Sequence, residues 1–148
     1  MTLEAVFASL HLVAVLAVVV FLTSVTALCR AELMSAAVVR RVARMDTIYW
    51  CAVLALLVTG VVRVVWGIKG MEWYVSSPLF HWKMMLFVLM VALSVWPSMG
   101  IRKWKQALNA SGTLPAAESV QAVRKWLMVA SHIIPVIAVI AVFWVRGM

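Results

Sequence analysis

Five ionisable side chains lie within or at the edges of long apolar stretches, and they are the groups with which this chain could do chemistry: His11, Arg63, His81, Lys83 and His132. Ionisable groups are costly inside a membrane, so residues of this kind are candidates for function. Three of them are imidazoles and two are strong cations. The imidazoles suggest metal ligation, and the cations suggest binding of an anion.

The imidazoles could ligate haem. Neutral imidazole is a good ligand for haem iron, and facing helices of a bundle are a usual place for that cofactor. His11 and His81 fall in the same half of the predicted protein, so they are the candidate haem and metal ligands. His132 lies nearer the other end. The alternative for each histidine is a hydrogen bond to a neighbouring helix or contact with lipid headgroups.

The cations Arg63, Lys69 and Lys83 cluster at the adjoining ends of two apolar stretches. A guanidinium group forms bidentate hydrogen bonds to carboxylates, and an ammonium group contributes a compact positive charge. Arg63 and Lys83 are therefore candidate cofactor-binding residues that would hold porphyrin propionates or a lipid headgroup. The alternative is that these long side chains simply extend to the membrane surface. Ten Met residues also raise a copper alternative, because Cu(I) favours sulfur ligands.

The elements that must position these residues are four apolar stretches at about 5–28, 47–68, 78–101 and 126–145. Each has roughly the 20 residues that a helix needs to cross a bilayer core of about 30 Å. Backbone polar groups in lipid must bond to one another, which favours helices. The sequence predicts an all-α, four-helix transmembrane bundle forming one integral membrane domain over residues 1–148, with the lipid bilayer as its first partner.

The distribution of charge predicts the orientation. The net charge is +8, and nine of the thirteen basic residues lie between stretches one and two or between stretches three and four. By the positive-inside rule these two connections are cytoplasmic, and the N-terminus and C-terminus are outside. The rule accounts for the charge without nucleic acid as a partner. The location predicted is the cytoplasmic (inner) membrane, with several passes.

The connections give further expectations. Residues 31–45 have a helical pattern with interleaved Arg, typical of an extension of the first helix or a helix lying on the lipid surface. A break is expected at 109–113, and the fourth helix should begin near Pro115. None of the acidic residues is predicted at mid-membrane, so no proton-relay carboxylate is expected. Cys29 and Cys51 should be free thiols facing a reducing compartment.

The chain also resembles a bacterial family of predicted membrane proteins catalogued as domain of unknown function 2214. The likeness covers nearly the whole chain. It rests on residues 10–12 (Leu-His-Leu), 41–49 (Arg-Val-Ala-Arg-Met-Asp-Thr-Ile-Tyr), 59–63 (Thr-Gly-Val-Val-Arg), 67–70 (Gly-Ile-Lys-Gly) and 78–83 (Pro-Leu-Phe-His-Trp-Lys). The resemblance implies a bacterial membrane protein and lends no activity.

More distantly, the layout is similar to HemJ-type protoporphyrinogen oxidases and CopD-type copper proteins, which are four-helix membrane proteins. In the HemJ type, a His in the first span and a His-x-Lys string opening a later span are associated with haem. His11 matches the first feature, and His81 with Lys83 matches the second.

The leading hypothesis is an inner-membrane protein that binds haem b for redox or porphyrin handling. His11 and His81 would be the ligands, and Arg63 and Lys83 would hold carboxylates. Quinone or another membrane redox protein would be the electron partner. The alternative is a non-enzymatic membrane subunit or a small-ligand or copper transporter. With four spans, a transporter would need to be a homo-oligomer.

Overall fold

The chain is almost entirely helical. The computed structural model describes residues 2–67 and 70–145, and within these ranges it contains no strand. Five α-helices and one short 3-10 helix follow one another: α1 Thr2–Leu28, the 3-10 helix Ala31–Leu33, α2 Ala36–Trp66, α3 Gly70–Val75, α4 Pro78–Ser111 and α5 Ala117–Val145. The prediction of an all-α fold is confirmed.

Four of these helices, α1, α2, α4 and α5, are long and apolar enough to cross a membrane. The protein is therefore a multi-pass membrane protein. α2 has 31 residues and α4 has 34, lengths of roughly 46 and 51 Å at the α-helical rise. Both exceed a bilayer core of about 30 Å. Following the predicted orientation, we call the end with Cys29 and Trp104 the inner end, and the end with His11 and Arg63 the outer end.

The four long helices pack in a ring. α1 contacts α2, α2 contacts α4, α4 contacts α5, and α5 closes the ring against α1. Their buried faces repeat at spacings of three or four residues, as in the series Ala14, Val18, Leu22 and Val25 of α1, which Cys29 continues just after the helix. This spacing is typical of helices that cross at a shallow angle in a bundle.

Burial is deepest at the inner end. Val39 and Val42 of α2, Ile101 of α4 and Val120 of α5 are completely buried there. By contrast, none of the residues 131–143 of α5, all of which are described, is buried. The inner end therefore has a packed hydrophobic core, and the outer half of the bundle is the more open part.

The interpretation of residues 31–45 as an extension of the first helix or a lipid-surface helix is wrong. α1 ends at Leu28, and Ser35 then caps a new helix by accepting a hydrogen bond from the Val38 amide at 3.3 Å. α2 runs without a break from this cap into the second apolar stretch. Val39 and Val42 of this segment pack into the bundle core.

The connection between α4 and α5 agrees with the sequence. Gly112 ends α4 with a left-handed backbone (φ +69°), and its amide donates to the Leu108 carbonyl at 3.0 Å. Glycine adopts this conformation without steric cost. The break predicted at 109–113 thus falls at the end of α4, and α5 begins at Ala117, close to the predicted Pro115. Lys69, predicted to join the outer cations, lies outside the described residues.

Cys29 should resist thiol reagents in the folded protein. Burial, with a smaller contribution from nearby Asp46, raises the pKa of its thiol to about 12. We expect maleimide labelling at neutral pH to be slower by roughly 10³-fold than at an ordinary thiol, because only the thiolate reacts. The measurement is labelling kinetics in a Cys51→Ala variant, before and after unfolding in SDS. The control is an exposed thiol, Ala37→Cys, in a chain without Cys29 and Cys51. Fast labelling of folded Cys29 would contradict the prediction.

Candidate functional site

The buried faces of three helices carry the outer ionisable residues. His11 precedes the buried Ala14 by one helical turn on α1, and Arg63 follows the buried Tyr49 by two heptads on α2. On α4, Lys83 precedes the buried Met90 by one heptad. Positions separated by whole heptads share a helix face. These three helices therefore turn His11, Arg63 and Lys83 towards the same part of the bundle, which we call the outer cluster.

His11 is fixed against α2. Its Nδ1 lies 3.0 Å from the Thr59 hydroxyl oxygen. That hydroxyl is itself within 2.8 Å of the Ala55 carbonyl, to which it donates. Because the hydroxyl has only one hydrogen, the Thr59 oxygen accepts and His11 Nδ1 donates. In the neutral ring, the other nitrogen, Nε2, then carries the lone pair.

Gly60 provides the space for this imidazole. A Cβ built on Gly60 would lie 3.4 Å from His11 Cε1, in van der Waals contact with the ring. The helix backbone of α2 thus approaches the imidazole closely at this point. A larger side chain at position 60 would have to displace the ring from its bond to Thr59. The sequence pair Thr59-Gly60 therefore both orients and accommodates His11.

Arg63 and Lys83 lie close enough to His11 to act on it electrostatically, and they also act on each other. Both are half-buried. Two cations beside one another repel, so an anion bound between them would be stabilised. Within the described residues, no three His, Cys, Asp or Glu side chains come together to hold a metal ion. The outer cluster thus offers one imidazole ligand and two cations.

His81 and His132 are not part of this cluster. His81 is exposed on α4, where its Nδ1 donates to the Ser77 carbonyl at 2.9 Å and its ring packs edge-on against Phe80. It lies two residues before Lys83, about 200° around the helix at 100° per residue. His132 is exposed on α5, and its Nδ1 donates to the Met128 carbonyl at 2.6 Å. Both imidazoles bond within their own helices.

A second polar site, which the sequence analysis missed, lies nearer the inner end between α2 and α4. The Ser98 hydroxyl donates to Asp46 Oδ1 at 2.5 Å. Ser98 Oγ in turn accepts a hydrogen bond from Trp50 Nε1 at 2.8 Å. Asp46 is 2% exposed and Ser98 is 3% exposed. Asp46 was expected outside the apolar stretches, yet the carboxyl group is enclosed by protein. Buried polar groups of this kind are stable only when they are hydrogen-bonded.

The hydrogen bonds between α2 and α4 continue one helical turn further into the membrane. The Tyr49 hydroxyl donates to Ser94 Oγ at 2.9 Å, and Ser94 donates to the Met90 carbonyl at 2.8 Å. Ser94 is completely buried and Tyr49 is 2% exposed. We call the set Asp46, Tyr49, Trp50, Ser94 and Ser98 the seam network. It joins α2 to α4 by side-chain hydrogen bonds and holds these two helices in one register.

A signal for the seam network was present in the sequence. Asp46, Tyr49 and Trp50 have the spacing of one helix face, and Ser94 and Ser98 are four residues apart on another. Small polar residues in such positions commonly bond across membrane helices. The signal was missed because Asp46 lies one residue before the apolar stretch at 47–68 and was therefore expected outside the membrane.

Comparison of the chain with known proteins identifies a family but no individual curated protein or solved structure that is similar to it. No curated protein and no solved structure matches the chain. A family model described as "Predicted membrane protein (DUF2214)" matches residues 3–148, which contain both the outer cluster and the seam network. The resemblance noted in the sequence is thereby confirmed over nearly its full length. The chain belongs to the DUF2214 family of predicted membrane proteins.

Proposed function

We propose that the outer cluster binds haem b, with His11 as the axial ligand and with Arg63 and Lys83 holding the propionates. The observation that carries the proposal is the hydrogen bond from His11 Nδ1 to Thr59. Metal-ligating histidines usually donate their second ring nitrogen to a neighbouring oxygen, which fixes the ring and leaves the other nitrogen for the metal. The two cations beside His11 match a ligand that carries both a metal and carboxylates.

The donor set suits one axial ligand. His81, the second candidate metal ligand, is exposed and bonded to the Ser77 carbonyl, away from the outer cluster. The proposal therefore places a single histidine on the iron and assigns His81 no contact with it. Haem supplies one-electron redox chemistry when bound. Quinone or another membrane redox protein in the bacterial inner membrane would be the electron partner.

The test compares histidine variants that differ only in position. We expect purified protein, expressed with added haem, to hold about one haem b per chain by its reduced-minus-oxidised spectrum. His11→Ala should lose most of it, because no second imidazole in the described structure lies beside Arg63 and Lys83. His81→Ala and His132→Ala are matched controls and should retain it. A double variant Arg63→Gln, Lys83→Gln should bind more weakly, through the loss of both propionate contacts.

The contrary results point to the alternative functions. A wild-type protein that takes up no haem, or a His11→Ala variant that keeps its full complement, would refute the proposal. The colourless protein would then be tested as a membrane subunit by isolating its complexes, and as a copper or small-ligand transporter by metal analysis and uptake in vesicles. Its mass in detergent would give the oligomeric state that transport by four spans requires.

A further inference from the structure

An open groove runs along the membrane-facing side of α5. Its volume is about 690 Å³, and one residue of α4, Leu86, contributes to its wall. The charged residues are at one end of it. Gln121, Arg124 and Lys125 line the inner part, and Met128, Val129, Ile133 and Val136, with His132 among them, line the part that extends into the membrane. The groove is thus amphipathic along its length.

The length of the groove matches one leaflet of a bilayer. Arg124 and Val136 are separated by 12 residues, which is roughly 18 Å along an α-helix. Half of a hydrocarbon core of about 30 Å is similar in length. Trp126 lies beside the cations, is exposed and packs edge-on against Trp96 with ring centroids 6.5 Å apart. Exposed Trp residues favour the headgroup level, so Arg124 and Lys125 lie where a lipid phosphate would be.

Arg124 has an unsatisfied donor at this level. Its Nε is buried and has no hydrogen-bond partner. Arg124 also lines the groove, and phosphate oxygens are well suited to guanidinium donors. Lys125 is exposed next to it and adds a second positive charge. The charged end of the groove therefore complements an anionic headgroup, and the apolar part complements an acyl chain.

We propose that this groove is a binding site for one anionic phospholipid of the inner leaflet. The phosphate lies on Arg124 and Lys125, and one acyl chain follows Met128 and Val129 towards Val136. Basic pockets between membrane helices on the cytoplasmic side recognise lipid headgroups in this way. None of the residues that line the groove belongs to the outer cluster, so lipid binding can be tested separately from haem binding.

The test is lipid retention measured by native mass spectrometry. Wild-type protein is reconstituted in vesicles of equal parts phosphatidylglycerol and phosphatidylcholine and then extracted in mild detergent. We expect retention of phosphatidylglycerol with a preference of roughly tenfold or more, from two basic groups at the membrane surface. The double variant Arg124→Gln, Lys125→Gln should lose the preference. Lys103→Gln, Lys105→Gln removes the same charge from exposed positions of α4 and should keep it.

A second variant tests the apolar part without changing charge. Val129→Trp fills the groove at an exposed position and should lower retention of phosphatidylglycerol severalfold, while the helical content stays unchanged. Equal retention of both lipids by the wild type would overturn the proposal. The proposal would also be overturned if the α4 control, Lys103→Gln with Lys105→Gln, lost the preference for phosphatidylglycerol to the same extent. If Val129→Trp instead converted a dimer to a monomer with lipid retention unaffected, a second copy of the chain would be the occupant and the proposal would be wrong.

Discussion

Replacing Ser98 with Ala should lower the free energy of unfolding of the bundle by about 3 kcal/mol. The Ser98 hydroxyl is the only group in the described structure seen to bond both Asp46 and Trp50. Without it, the Asp46 carboxyl group and the Trp50 indole N–H each lose the hydrogen bond that the described structure shows for them between α2 and α4. Hydrogen bonds to carboxylates are stronger than those between neutral groups. Leaving a buried acceptor without a hydrogen bond costs more free energy than the bond itself contributes to stability.

The measurement is equilibrium unfolding in mixed micelles with increasing SDS, followed by circular dichroism. Ser111→Ala is the matched control, since Ser111 lies at the exposed end of the same helix and bonds only to Ala107 and Thr113. We expect the control to change stability by less than about 0.5 kcal/mol. In a Trp50→Phe background the cost of Ser98→Ala should fall, because one of its two partners is already gone. Equal effects of Ser98→Ala and Ser111→Ala would contradict the account of the seam network.

Gly100→Leu should be at least as damaging, by about 3 kcal/mol, through overpacking. A Cβ on Gly100 would lie only 3.0 Å from Val123 Cγ2, so α4 and α5 approach each other closely here. Val123 is 1% exposed, so it lies in the interior, where a leucine at position 100 would have to displace it. Gly100→Ala should be close to neutral, because a small shift of Val123 costs about what the better helix propensity of Ala gains.

The same SDS titration measures this series, with Ala92→Leu as the control. Ala92 lies on α4 and is exposed, so it receives the same leucine side chain at a position open to the surroundings. A further variant, Gly100→Leu with Val123→Ala, should recover part of the lost stability, because the smaller partner leaves room for the leucine. If Gly100→Leu and Ala92→Leu behaved alike, the close approach of α4 and α5 at Gly100 would be ruled out.

The helices themselves could be predicted from sequence because lipid imposes a simple rule on the backbone. A continuous apolar stretch of about 20 residues has no good alternative to a helix. The end of α4 was also predictable, since Gly112 is one of few residues that adopt its left-handed backbone at no cost. The position of the inner part of α2 could not be predicted from sequence. Its pattern of Val and Arg suits a lipid surface or a protein core equally well, and only tertiary packing decides between them.

The sequence predicted which residues form the candidate site better than it predicted where they lie around their helices. His11, Arg63 and Lys83 were named from their chemistry, and the structure turns all three towards one region of the bundle. His81 was named for the same reasons but lies about 200° from Lys83 around α4. The rotation of a helix that is apolar on every side cannot be derived from its own sequence. It becomes visible only from buried residues such as Met90, which fix the face that looks inward.

The ring of helices also bears on how the protein is made. α1 contacts α2, and α4 contacts α5, more extensively than α2 contacts α4 or α1 contacts α5. Each half is a hairpin of neighbouring helices, so each can enter the bilayer as a unit while the chain leaves the ribosome. Apolar surfaces alone attract helices weakly in lipid. The hydroxyl, indole and carboxyl groups between α2 and α4 therefore supply specific contacts that hold the two hairpins against each other once both are in the membrane.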